Sequence, residues 1–201
     1  MGGIDHTWPF YLGGAIAYLI GSVPFGLILT RLAGLGDIRT IGSGNIGATN
    51  VLRTGNKKLA AIVLVLDGLK GAAAVLIGWR FGADMALIAG AAVVIGHVAP
   101  IWLHFKGGKG VATTLGVLYA IHWPLGLIAC GLWLLVAFAF RYSSLAALIA
   151  LASAPGFALL LDQQRFALLA GLLAVIVIAK HWQNIARLIK GTESKIKLKR
   201  D

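Results

Sequence analysis

Residues 111–140 read VATTLGVLYAIHWPLGLIACGLWLLVAFAF, thirty largely apolar residues interrupted by His122-Trp123-Pro124. The stretch is either one broken membrane span or two short ones, and the choice sets the side on which the rest of the chain emerges. Charge separates the options. With two spans here there are seven in all: Pro9–Leu32 kinked at Pro24, Leu59–Trp79, Met85–Leu103, the two in question, Ser144–Leu161 and Phe166–Lys180. The loops 34–58, 104–110 and 141–143 and the tail 181–201 then share one side. That side holds Arg39, Arg53, Lys57, Lys58, Lys106, Lys109, Arg141, Arg187, Lys190, Lys195, Lys197, Lys199 and Arg200, against Arg80 and Arg165 on the other. Positive charge collects in the cytoplasm, so the sequence predicts seven helices with the N-terminus outside and the C-terminus cytoplasmic. A single span would place the basic tail opposite the basic loops.

Composition supports a polytopic, all-α membrane protein forming one domain over 1–201. The chain is 59% hydrophobic and 12% charged, and its mean hydropathy is +0.87, values far from those of a soluble domain. The net charge of +11 sits in short gaps and the tail, which fits anionic lipid headgroups and not nucleic acid. Residues 1–7 contain Asp5 and no Lys or Arg, unlike a cleavable secretory signal. Trp8 suits an interfacial anchor. Cys130 lies alone in an apolar run, so neither a disulfide framework nor a cysteine-rich metal site is available, and no other metal site stands out.

Every motif-like segment falls on the basic face. Phe105-Lys-Gly-Gly-Lys-Gly-Val-Ala-Thr-Thr114 is a glycine-rich basic loop entering an apolar helix. Such a loop can curl its N–H groups around an anion, with lysine countercharge and the helix dipole behind it. Gly42-Ser-Gly-Asn-Ile-Gly-Ala-Thr-Asn50, followed by Arg53, matches a dinucleotide fingerprint only formally, because no strand precedes it; a Walker A sequence is also absent. Its hydroxyls, amides and arginine can bind phosphate, and its glycines equally suit close helix packing. In the third cluster, His181, Asn184 and Arg187 recur every three residues, with His181 and Asn184 near one helical face. That histidine can orient or deprotonate a hydroxyl; the alternative is an amphipathic interfacial helix with Lys195–Arg200 held against anionic lipid, the reading preferred for the terminal basic run. Arg141 with Ser143 and Ser144 at a helix start is a further phosphate contact or a serine cap. Asp67 and Lys70 inside the second span can pair along one face; an intramembrane ionisable residue is a functional candidate, and a structural ion pair orienting the loop is the preferred reading, while His97 reads as a buried hydrogen-bonding residue.

These three clusters, with Gly96-His97…Pro100 leading the second and Glu193 closing the third, resemble the motifs of the bacterial membrane glycerol-3-phosphate acyltransferases that use acyl phosphate, the PlsY family. The likeness covers nearly the whole chain in the same order; Ile46 stands where many members carry proline, and Trp182 where a charged residue is common. The resemblance implies transfer of a fatty acyl group from acyl phosphate to the 1-hydroxyl of glycerol 3-phosphate, giving lysophosphatidic acid and phosphate for phospholipid biosynthesis at the bacterial inner membrane. It assigns Ser43, Arg53, Lys109, His181 and Asn184 to the glycerol phosphate site as the catalytic group. Asn45, Thr49, Gly107, Gly108, Ser143, Ser144 and Glu193 become substrate-binding or supporting residues, with Gly107, Gly108, Ser143 and Ser144 at the acyl-phosphate headgroup. Neither metal nor cofactor is implied. The partners are the two substrates and membrane lipids. The His-x-x-x-x-Asp pattern of acyltransferases that use acyl-CoA or acyl carrier protein is absent, since Ala186 stands at that offset from His181. A small phosphoester transporter is the non-enzyme alternative and a lipid-binding scaffold the third, though transporters usually place their sites at the midplane between repeats.

Overall fold

The computed structural model describes residues 7–196, and every regular element among them is helical. The helices are α1 Trp8–Gly21, α2 Phe25–Leu32, α3 Ala48–Leu52, α4 Lys57–Trp79, α5 Ala83–Val98, α6 Val111–Ile121, α7 Trp123–Phe140, α8 Ser143–Leu160, α9 Gln164–Lys180 and α10 Trp182–Ile189. Asp5 and the tail residues Lys197, Lys199 and Arg200 lie outside the described residues. The chain divides into two compact units, one ending at Ile121 and the other beginning at His122.

In the first unit α1 packs on α5, and α4 packs on both α5 and α6. Pro24, which has no N–H to give the helix, stands at the break between α1 and α2 in the first apolar run, whereas Pro155 is accommodated inside α8. The carbonyls freed at that break find partners elsewhere: Trp102 Nε1 donates to Ser22 O at 3.0 Å and Lys70 Nζ to Val23 O at 2.8 Å. The third apolar run, a single candidate span over Ala83–Leu103, is α-helical to Val98 and ends beyond Pro100 in a 3₁₀ turn, Ile101–Leu103. In the second unit α8 packs between α7 and α9. The chain bends by 64° between α9 and α10.

Residues 111–140 form two helices broken at His122. Five segments among the described residues are long and apolar enough to cross a bilayer: Trp8–Leu32, Lys57–Trp79, Ala83–Leu103, Trp123–Phe140 and Ser143–Leu160. The bent pair α9–α10 makes a sixth if it is taken as one span. Helix α6 has 11 residues, so it rises about 16 Å where a hydrocarbon core measures about 30 Å. The predicted count of seven therefore depends on this short helix.

Candidate active site

The Gly42–Arg53 loop is anchored from below. Ile38, Ile46 and Val51 are buried with Leu27 of α2 and Ala60 and Val63 of α4. A Cβ on Gly26 would collide with the Ile46 carbonyl, so the glycine lets the loop settle directly onto α2. Asp37 caps the preceding 3₁₀ turn, Ile38–Thr40, accepting from Arg39 N and Arg39 Nε at 2.9 Å each. The Arg39 guanidinium and amide hold the Asp37 carboxyl well below the usual carboxylate range.

The organiser of this loop is Asn50, which the sequence reading left among the motif letters. It is buried, and its Nδ2 donates to the carbonyls of Ile38 at 2.7 Å, Asn45 at 2.8 Å and Ile41 at 3.2 Å. Its Oδ1 accepts from Ser43 N at 3.2 Å and from Arg53 at 3.4 Å. Gly42 and Gly44 have φ of +56° and +67°, so the loop needs glycine at both turns. The signal that could have found Asn50 is an amide closing a glycine-punctuated loop, since only a group that donates and accepts can serve both kinds of backbone partner. Ser43 and Arg53 are thus brought together through Asn50, Ser43 half-buried and Arg53 exposed. The Asn45 side chain accepts from Ile46 N at 2.9 Å, and Thr49 is exposed in α3.

The glycine–lysine loop differs from the expected cradle. Pro100 and the end of α5 leave carbonyls without helical donors, and the loop folds back to meet them: Gly108 N–H donates to His97 O at 3.0 Å and Gly107 N–H to Val98 O at 3.2 Å. Those two amides are therefore spent on α5 and are not curled around an anion. Side chains are excluded for the same reason, since a Cβ on Gly107 would strike the His97 carbonyl and one on Gly108 the His97 imidazole. The groups here whose charge suits an anion are the exposed Lys106, the half-buried Lys109 and the first turn of α6.

The third cluster, in the second unit, gathers on Glu193. Its Oε1 accepts from Ser144 Oγ at 2.8 Å and from Asn184 Nδ2 at 2.6 Å, and its Oε2 from Arg187 Nε at 2.6 Å. Burial pushes the Glu193 carboxyl up, but the bonds from Asn184, Ser144 and Arg187 outweigh it and the net shift is downward. The serines do not act as an N-cap: Tyr142 holds that position without a side-chain bond, Ser144 faces Glu193, and Ser143 is half-buried in the first turn of α8. His181 sits at the bend between α9 and α10, not on one continuous helix with Asn184, and both are buried. The His181 Nδ1 lies 2.8 Å from the Val177 carbonyl. A carbonyl only accepts, so Nδ1 carries the proton and Nε2 is the acceptor of the neutral ring.

Helix α10, Trp182–Ile189, is amphipathic, and the chain beyond it folds back on the α7–α8 connection. Helix ends at Ile189, Gly191 turns with φ of +69°, and residues 192–196 continue without helix. Lys195 stands 5.5 Å over the Tyr142 ring, while Ile196 N donates to Arg141 O at 2.6 Å and Arg141 Nη2 donates to Ile196 O at 3.1 Å. Lys195 and Ile196 are thus fastened to the α7–α8 connection.

Comparison with known proteins identifies the family. The family model described as Glycerol-3-phosphate acyltransferase matches residues 11–191. The glycerol-3-phosphate acyltransferase of Paramagnetospirillum magneticum is 61% identical over 186 residues, covering 92% of this chain and 91% of the relative. That of Rhodospirillum rubrum is 58% identical over 192 residues, covering 91% and 89%. The crystal structure of PlsY, an integral membrane glycerol 3-phosphate acyltransferase, in its glycerol 3-phosphate form superposes with a TM-score of 0.89 at 38% identity, covering 94% of this chain and 96% of that one. Its lysophosphatidic acid form gives 0.87. On the motif residues, the helical architecture and these likenesses together, the chain belongs to the glycerol-3-phosphate acyltransferases of the PlsY type, which are integral membrane enzymes.

Proposed function

We propose that the chain transfers a fatty acyl group from acyl phosphate to the 1-hydroxyl of glycerol 3-phosphate at the cytoplasmic face of a bacterial inner membrane, its two units working as one membrane domain. The products are lysophosphatidic acid and phosphate, serving phospholipid synthesis. The observation that carries the reading is the third cluster: His181 with Nδ1 committed to a backbone carbonyl, beside an Asn184 held by Glu193. Those two groups suit a sugar-like hydroxyl, one accepting and one turned by a fixed carboxylate. Ser43, Arg53 and Lys109 supply donors and charge for a phosphate dianion, as the motif correspondence assigns them. The assignment of Gly107 and Gly108 to the acyl-phosphate headgroup survives only through backbone positioning, because their amides are occupied. Ser144 likewise acts through Glu193, while Ser143, Asn45 and Thr49 keep their assignment as substrate contacts.

The donor is a mixed anhydride with phosphate as its leaving group, so little general-acid help is required. Positioning and charge stabilisation do most of the work. The acceptor oxygen forms a bond to the acyl carbon, the acyl carbon–oxygen bond to phosphate breaks, and the hydroxyl proton passes to the departing phosphate. Lys109 and Arg53 stabilise the developing charge and His181 orients the acceptor. The test is product formation by purified protein given labelled glycerol 3-phosphate with acyl phosphate, acyl-CoA or acyl carrier protein in parallel. Lysophosphatidic acid from acyl phosphate alone, lost in Lys109→Ala and Ser43→Ala, is the expected result; no product from folded protein with any donor overturns it. His181→Gln should impair binding more than turnover, whereas a large fall in turnover with loss of pH dependence would make His181 the base.

A further inference from the structure

Inside the first unit, a run of polar contacts joins the middle of α4 to the loop that carries Lys109. Asp67 and Lys70 are both buried, with Lys70 Nζ 2.8 Å from Asp67 Oδ1. The same ammonium donates to Val23 O in the α1–α2 break and lies 5.5 Å from the Phe25 ring. His97 Nδ1 stands 3.7 Å from the same Oδ1, an electrostatic contact beyond hydrogen-bond reach. His97 then meets the glycine–lysine loop twice. Its carbonyl accepts the Gly108 N–H at 3.0 Å, and its ring occupies the space where a Gly108 side chain would begin. Trp102, which precedes the loop, closes the circuit by donating to Ser22 O at 3.0 Å.

A buried ion pair is a poor way to gain stability, because an apolar pair of similar volume avoids the desolvation cost. Its placement here explains its use: one charge faces the helix break, the other the histidine against which the loop is seated. We propose that Asp67 is a positioning residue for acyl transfer, fixing His97 and through it the Gly107–Gly108 backbone and the position of Lys109. Lys70 keeps the α1–α2 break in register with the same loop. This inference rests on the reading of Lys109 as a ligand of the glycerol 3-phosphate phosphate.

The test uses the purified full-length enzyme with saturating acyl phosphate and varied glycerol 3-phosphate, wild type alongside. Asp67→Asn keeps the side-chain size and removes the charge facing His97. The expected result is a KM for glycerol 3-phosphate raised about tenfold together with a lowered kcat, because a displaced Lys109 holds the acceptor phosphate less well and stabilises the developing charge less well. The double variant Asp67→Asn/Lys70→Gln removes both charges together and keeps an N–H donor at position 70 for Val23 O, so no buried charge is stranded as it is in the single variant. It should keep the raised KM. A wild-type KM in either folded variant, or a fall in kcat alone, overturns the proposal and leaves the pair a structural one. Failure of the wild type to make lysophosphatidic acid would instead overturn the reading of the site, so the two failures are distinguishable.

Discussion

Asn50 turns one NH₂ group toward three carbonyl oxygens, those of Ile38, Ile41 and Asn45, and its Oδ1 toward Ser43 N and Arg53. No other neutral side chain of this length except a shortened glutamine could donate and accept in both directions. Asn50→Ala leaves those carbonyls without the amide and should cost about 1–3 kcal/mol. Asn50→Asp should cost more, although it is closer in shape, because it sets a carboxylate against three acceptors. Thermal unfolding in detergent checks the order. An Asp variant as stable as the Ala variant would show that the carbonyl contacts hold little. The residue's importance follows from geometry that neighbours in sequence do not reveal: Ile38 and Asn50 are 12 positions apart.

At the scale of elements, the helices of the first unit meet through glycine. A Cβ on Gly21 would run into Val93 O, one on Gly96 into Tyr18 O, and one on Gly71 into Thr113 O. These contacts bring α1 onto α5 and α4 onto α6 at backbone distance, which is how membrane helices gain packing where lipid offers no hydrophobic drive. Gly71→Ala must push α6, and the loop before it, away from α4. It should lower stability by about 1–3 kcal/mol, as overpacking does. Gly156 in α8 has nothing within 4 Å of its would-be Cβ, so Gly156→Ala should hold or raise the melting temperature by removing backbone freedom worth about 0.5–1 kcal/mol. Equal melting temperatures for the two variants would refute the distinction. Long apolar runs made most of these helices legible in the sequence, and Pro24 announced its own break. The internal wiring of the loops was not legible. Whether the amides of Gly107 and Gly108 serve an anion or a helix end depends on which carbonyls α5 leaves unpaired, and no local pattern encodes that. Glu193 was placed with the right cluster, but its grip on Ser144, 49 positions away, belongs to the folded chain.

For the whole molecule, membrane sidedness turns on α6. Its 11 residues cover roughly half of a hydrocarbon core, yet the distribution of Lys and Arg favours a crossing there. Local thinning of the bilayer and burial against α4 can reconcile the two, since α4 shields α6 from lipid along their shared face. Single cysteines in a Cys130→Ala background decide the matter. Lys57, Arg80, Trp123 and Lys190 are all exposed at helix ends and accept a cysteine without touching the core. With seven crossings, Lys57→Cys and Lys190→Cys react with an impermeant thiol reagent from the cytoplasmic side, and Arg80→Cys and Trp123→Cys from the outside. If α6 enters and leaves by the same face, Trp123→Cys joins Lys57→Cys and Lys190→Cys changes sides. The third cluster would then emerge opposite the first two motif loops, an arrangement in which His181 and Asn184 could not share a substrate with Ser43 and Lys109. Labelling of Lys57→Cys and Lys190→Cys from one side is thus the physical precondition for assigning all five residues to one reaction.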